Sequence, residues 1–304
     1  MGAETFKAEN FKSENLKSRI RTITDNAVTV LAILATVLVV LPLVVIFGYL
    51  VYKGASSLNL AFFTQIPKPE GEDGGGMANA IVGSAVLLGI SSAIGVPIGI
   101  GGGIFLAEYG RGTKLANAVR FTADVLNGVP SIVMGLAAYA LIVSPHIGFL
   151  PFVGHFSAFS GGVALGIMMI PTVCRTTEEM LLMVPHAVRE AALGLGVPAW
   201  RSVLSITVKT ASPGIITGCM LAFARVAGET APLLFTALGN SFMSTSLDRP
   251  IEALPLQIYV FALSPYDDQH RLAWAGALVL ISLIVVAVSL VRYVTSRGVL
   301  KGAS

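Results

Sequence analysis

Apolar residues along this chain neither alternate nor recur singly; they accumulate in long blocks separated by short polar stretches. Crossing the hydrocarbon core of a bilayer as a helix takes about 20 apolar residues. Six stretches qualify: 27–52, 79–108, 127–145, 158–175, 213–238 and 272–294. The second is long and holds Gly95, Pro97 and the run Gly101-Gly102-Gly103. It is read as one kinked helix, because neighbouring helices can satisfy the backbone groups that a proline frees. The pattern predicts an all-α membrane protein with six transmembrane helices. A tail at 1–26, a polar segment at 176–212 and a tail at 295–304 lie outside the membrane, the first and last flanking a 27–294 transmembrane domain.

Composition agrees. Only 12% of the 304 residues are charged and 54% are hydrophobic, where a soluble domain carries about 25% charged residues. A net charge of +3 is too small to point to nucleic acid. Its distribution is more telling. Fifteen Lys and Arg fall in the amino-terminal tail (Lys7, Lys12, Lys17, Arg19, Arg21), near 109–126 (Arg111, Lys114, Arg120), in 175–212 (Arg175, Arg189, Arg201, Lys209) and in the carboxyl tail (Arg292, Arg297, Lys301). The alternate loops hold four: Lys53, Lys68, Arg249 and Arg271. Positive charge marks the cytoplasmic side, so both termini and the 176–212 segment are expected there. Two outward segments, 53–78 and 239–271, are long enough to receive a partner or to serve as simple connections. The second contains a short amphipathic element expected at the outer interface.

The inward segment TTEEMLLMVPHAVREAALGLGVPAWRSVLSITV is ordered in its pattern. A helical stretch meets Gly194 and Gly196, and Pro198 stands where a second helix begins. Trp200, Val203, Leu204 and Thr207 are expected on one face of that helix. A short helix-turn-helix on the cytoplasmic side offers a docking knob. The small pair Ala191-Ala192 lets a surface approach closely, Glu190 can meet a basic group, and glycine permits the turn.

Glu190-Ala191-Ala192, then three residues, Gly196, nine residues and Ile206 resemble the EAA motif of ATP-binding-cassette importer permeases. That family continues Ile-x-Leu-Pro, whereas Thr207, Val208 and Lys209 follow here, which leaves the start of the next helix open. GIFLAEYGR at 103–111, GVPSIVMGL at 128–136, RTTEEML at 175–181 and ARVAGETAPLLFTAL at 224–238 resemble the phosphate-importer permeases within it, over roughly residues 50–290. The resemblance implies a type I ABC importer permease fold with a cytoplasmic coupling helix, in a bacterial inner membrane. The implied partners are a homologous second permease, a pair of identical ATPase subunits and a soluble phosphate-binding protein. Glu190, Ala191, Ala192 and Gly196 would dock the ATPase, and a cysteine at Ala192 is expected to crosslink to it. With no Walker A sequence the chain is expected to be a transporter subunit and not an enzyme. No cofactor is expected, ATP being bound by the partner ATPase.

Inside the fifth span stand Arg225 and Glu229. An Arg in mid-membrane costs roughly 3 kcal/mol even on mild insertion scales, so it is expected to face a cavity or a partner. Spacing of four residues would put both groups on one helix face. In the pathway reading Arg225 offers a forked donor to a phosphate oxyanion and Glu229 tempers its grip. Thr230 and Ser131, the latter just after Pro130 at a helix start, are the supporting positions. The competing reading is an Arg–Glu pair that only ties helices together. Two other functions stay open: a permease for another oxyanion such as sulfate or molybdate, and a stand-alone secondary carrier. His146, His155, His186 and His270 lack ligand spacing, so no metal site is expected. Cys174 and Cys219 read as buried inert thiols. Gly101–Gly103 lacks the Lys-Ser/Thr ending of a phosphate loop and is assigned to close helix packing.

Overall fold

The computed structural model describes residues 2–69, 71–72, 74–144 and 154–301, and among these the side chains within 21–295. His146 lies outside the described residues. The helices are α1 (Gly2–Ala55), α2 (Leu60–Thr64), α3 (Ala78–Ile104), α4 (Lys114–Gly128), α5 (Ser131–Ala138), α6 (Ala158–Leu182), α7 (His186–Gly194), α8 (Ala199–Ser202), α9 (Val208–Ala227), α10 (Ala231–Leu234), α11 (Leu254–Ala262) and α12 (Asp267–Lys301). Three π-helical turns, Phe105–Tyr109, Tyr139–Val143 and Val203–Thr207, extend α3, α5 and α8. Among the described residues the only β pairings are two isolated bridges, Pro67 with Gly75 and Leu238 with Ile251.

Five helical stretches are long and apolar enough to cross a membrane: 21–55, 78–109, 158–182, 199–227 and 267–295. The sixth candidate is α4 and α5 taken together, bent by 111°. The chain divides between Tyr52 and Lys53 into two compact units. In the first, α1 runs without a break through residues 26 and 27, and nearly every side chain from 21 to 49 is exposed. An apolar helix exposed all round is suited to lipid or to another chain. The second unit holds the packed helices.

Two predicted spans are corrected. The third was expected at 127–145; instead the basic stretch before it is helix α4, and the break falls at Gly128–Pro130. Pro130 has no N–H to donate and bars helical backbone at Val129, whose ψ is 132°. The fifth was expected at 213–238. Its helix begins at Ala199, capped by Pro198, and stops at Ala227. Pro213 lies within it, and the Lys209 carbonyl that a proline cannot engage accepts from the Ser212 hydroxyl at 2.8 Å.

The second span is a single helix from Ala78 to Tyr109, as expected. It packs against α6 through a stripe of small residues. A Cβ at Gly95, Gly99 or Gly103 would sit 2.8, 2.6 or 2.5 Å from the Cβ of Met169, Val173 or Thr177. From the α6 side, Gly162 admits Ile90 in the same way. Glycines four apart let two backbones approach to where dispersion contacts are dense. The packing role expected of Gly101–Gly103 therefore belongs to Gly103 and to Gly102, which faces the Cys174 sulfur; Gly101 faces open space. Cys174 and Cys219 are free and buried.

Between α10 and α11 the chain folds back over the amino-terminal half of α3. Leu254 N–H donates to Ser84 Oγ at 2.8 Å, and Asn79 Nδ2 donates to the Asn240 carbonyl at 2.9 Å. Glu252 is buried here, its carboxylate accepting the N–H groups of Asn240 and Ala253 at 3.1 and 3.2 Å. Burial pushes the Glu252 carboxyl above its usual range, and the two N–H donors offset part of that rise.

Candidate translocation site and coupling helix

The site is set by where α9 ends. Gly214 lies against Met180 and Gly218 against Thr176, so α9 runs antiparallel to α6. Continued at helical rise, that register brings Arg225 level with about residue 169, near the middle of a helix about 37 Å long. The sequence places Arg225 in mid-membrane; the register sets it level with the middle of α6. Arg225 occupies the last turn of a helix that stops at Ala227. Its charge meets the negative end of the α9 dipole, a favourable location worth roughly 0.3–1 kcal/mol.

Arg225 and Glu229 do not share a helix face. Gly228 ends α9, and the backbone turns there, with Glu229 N–H donating to the Val226 carbonyl at 3.1 Å. Arg225 is exposed, and among the described residues it makes no ion pair. Glu229 is half-buried and lines a small cavity with Ser84, Leu87, Leu165 and Leu233. Spacing of four residues joins two side chains only while the helix continues, and here it does not.

A second break lies between α4 and α5. Thr172, one residue past Pro171 in α6, donates its hydroxyl to Asn127 Oδ1 at 3.1 Å, which fixes the Gly128–Pro130 turn level with mid-α6. Ser131 then opens α5, as its position after Pro130 suggested. One turn on, Gly135 packs against Ala231 and Pro232 of α10. The sequence does not signal that the helices following the breaks at 128–130 and 228–230 pack against each other; only the tertiary structure does. Thr230 follows the second break, and its hydroxyl is 3.4 Å from the Pro255 carbonyl.

The helix-turn-helix, or elbow, expected between Thr176 and Val208 forms. Helix α7 spans His186–Gly194, Gly196 takes a φ of +79° that glycine tolerates, and Pro198 caps α8. Glu190, Ala191 and Gly196 are exposed, but Ala192 is only 4% exposed and faces inward. The expected common face of Trp200, Val203, Leu204 and Thr207 is also corrected. Val203 and Thr207 are buried, whereas Trp200 and Leu204 are exposed at 60% and 54%, because residues one apart point about 100° apart on a helix.

Behind the elbow lies an ion network that the charge count alone hides. Glu178, 3% exposed, receives Arg120 Nε at 2.6 Å and Arg175 Nη1 at 3.0 Å, and Arg175 Nε reaches Asp124 at 3.0 Å. These pairs hold α4 along the carboxyl-terminal half of α6. The signal available in sequence was RTTEEM, a charged run with helical spacing, but its partners on α4 lie more than fifty residues away. Arg189 and Glu108 form a second pair at 2.8 Å. No group of three or more His, Cys, Asp or Glu that could hold a metal occurs among the described residues.

A bundle of long apolar helices, one pair sharply bent, with an exposed helix-turn-helix between two spans, is the architecture of a membrane permease. The profile of the binding-protein-dependent transport system inner membrane component matches residues 99–298, and the chain belongs to that family. Members are permease subunits of ABC importers, not themselves catalytic, and membership implies a partner permease, an ATPase and a binding protein. The chain is 48% identical over 244 residues to the phosphate transport system permease protein PstA of Yersinia pestis, an alignment covering 80% of each. It is 49% identical over 241 residues to the PstA of Xylella fastidiosa strain 9a5c, covering 79% of this chain and 81% of the relative. Against PstA 1 of Mycobacterium tuberculosis strain H37Rv identity is 37% over 227 residues, covering 73% of this chain and 71% of the relative. Among solved structures, an inward-facing form of the MetNI methionine ABC transporter matches 75% of this chain and 97% of its own, with a TM-score of 0.53 and 18% identity. That likeness speaks to the fold alone.

Proposed function

We propose that this chain forms, with a second homologous permease, the pathway through which a separate ATPase drives phosphate into the cell. The observation that carries the reading is an exposed guanidinium in the last turn of α9, just before the Gly228 break, in a chain whose relatives are phosphate permeases. A phosphate oxyanion entering a low-dielectric path loses its hydration and needs fixed donors in exchange. Arg225 supplies two coplanar N–H groups and cannot lose its charge by burial. Ser131 at the start of α5 and Thr230 beyond the end of α9 add neutral donors. Glu229 enters the pathway when the Gly228 break turns outward, competing for the guanidinium so that phosphate is released.

The exposed Glu190, Ala191 and Gly196 dock the ATPase, with both termini on the same cytoplasmic side. ATP is bound and hydrolysed by the two ATPase subunits, and the soluble binding protein delivers phosphate from the other face. Closure of the ATPases moves the elbow, and the spans reopen on the opposite side.

The test is uptake by the complete complex in liposomes. A charge-assisted hydrogen bond contributes roughly 1.5–3 kcal/mol, so Arg225→Lys should lower phosphate uptake about ten- to hundredfold and Arg225→Ala more. Assembly and ATP hydrolysis should persist in both. Dissociation of the complex would instead make Arg225 a structural residue.

A further inference from the structure

A closely held charged side chain outside the pathway is Arg189, one residue before the exposed Glu190. It is 12% exposed, and its partner Glu108 is 9% exposed. Nε and Nη2 of Arg189 both donate to Glu108 Oε1, at 3.1 and 2.8 Å. Nη2 also donates to the Leu181 carbonyl at 2.6 Å, and Nη1 to the Val184 carbonyl at 2.7 Å. Leu181 and Val184 lie at the end of α6, where carbonyls lack intrahelical partners and the helix dipole is negative. Glu108 sits in the π turn that ends the second span. One guanidinium therefore ties α7 to the inner ends of α3 and α6 together.

Those two helices are the pair locked by the Gly95–Gly99–Gly103 stripe, which cannot slide without side chains entering backbone. The outward face of the same α7 turn is Glu190 and Ala191, both exposed to a partner. We propose that Arg189 is a positioning residue that latches the coupling helix to the α3–α6 pair, so that displacement of α7 is transmitted to the pathway and not absorbed in the elbow. The inference rests on the reading of this chain as an ATPase-driven permease. A loose elbow would let ATPase closure proceed while the spans stayed still. A latch matters because coupling requires an element shared by both sites.

Arg189→Lys keeps a point charge but cannot span Glu108 and both carbonyls; Glu108→Gln removes the ion pair and keeps an acceptor. In the reconstituted complete complex, phosphate moved per ATP should fall about tenfold in each, while ATP hydrolysis stays close to native. A purely structural role would lower transport and hydrolysis in step, and that outcome, or an unchanged ratio, overturns the proposal. Where either variant does not assemble, spin labels at the exposed Ala187 and Tyr109 of otherwise native protein read the same question. Their separation should be equal in nucleotide-free and ATP-trapped complexes, and a change between the two overturns the latch. If the native complex moves no phosphate at all, the substrate assignment fails, and the label pair still decides the latch.

Discussion

Two buried glutamates differ in the partners that their carboxylates meet. Glu178 is buried and met by two guanidinium groups. Glu252 is buried with only backbone N–H donors, and burial raises its carboxyl. A folded-state value above the unfolded one means that the fold holds the proton more tightly. The associated stability is fully present below the ordinary value of 4.5 and is lost as pH climbs through the raised value. Glu252→Gln removes the charge and keeps an acceptor for the Asn240 or Ala253 N–H. Its unfolding midpoint in detergent should exceed that of the native protein above neutrality, and the difference should vanish as pH falls to 4.5. A constant difference at all pH values would show that Glu252 does not titrate with folding.

At the level of elements, the α3–α6 contact is the axis against which everything else is placed. α9 and α4 both find their depth from α6, through Gly214 and Gly218 on one side and Asn127 and Arg120 on the other. Gly99→Leu would push a side chain into Val173 and the Ile170 carbonyl. Overpacking of this kind costs about 1–3 kcal/mol or forces the helices apart. A lowered unfolding temperature of the purified chain is expected. Gly101 lies on the same helix but points away from α6. A Cβ there meets no atom within 4 Å, so Gly101→Ala should be neutral or slightly stabilising, by up to about 1 kcal/mol.

For the whole molecule, the elbow fixes which positions can meet a partner. Ala191 is exposed and Ala192 is covered by the chain's own helices. A cysteine at Ala191 should crosslink to the ATPase with a yield that changes with nucleotide, whereas one at Ala192 should not crosslink without disrupting the fold. Equal yields at the two positions would contradict the orientation of α7. The same experiment reports the side of the membrane, since a reagent confined to the exterior should leave Ala191→Cys unmodified in intact cells.

The sequence by itself determined the class of protein: long apolar blocks force helices, because a bilayer leaves backbone groups no other partners. It also determined the elbow, since Gly196 and Pro198 act locally through backbone angles, and it marked Arg225 as costly in oil. What it could not determine were pairings between distant segments. Arg225 and Glu229 sit four apart, yet the helix between them ends at Gly228, so proximity in sequence misled. Arg189 and Glu108 stand far apart in sequence, and only the packed ends of α3 and α6 bring them together. Local propensity is written in neighbouring residues. Register and depth come from side chains meeting across helices, and those only the tertiary structure decided.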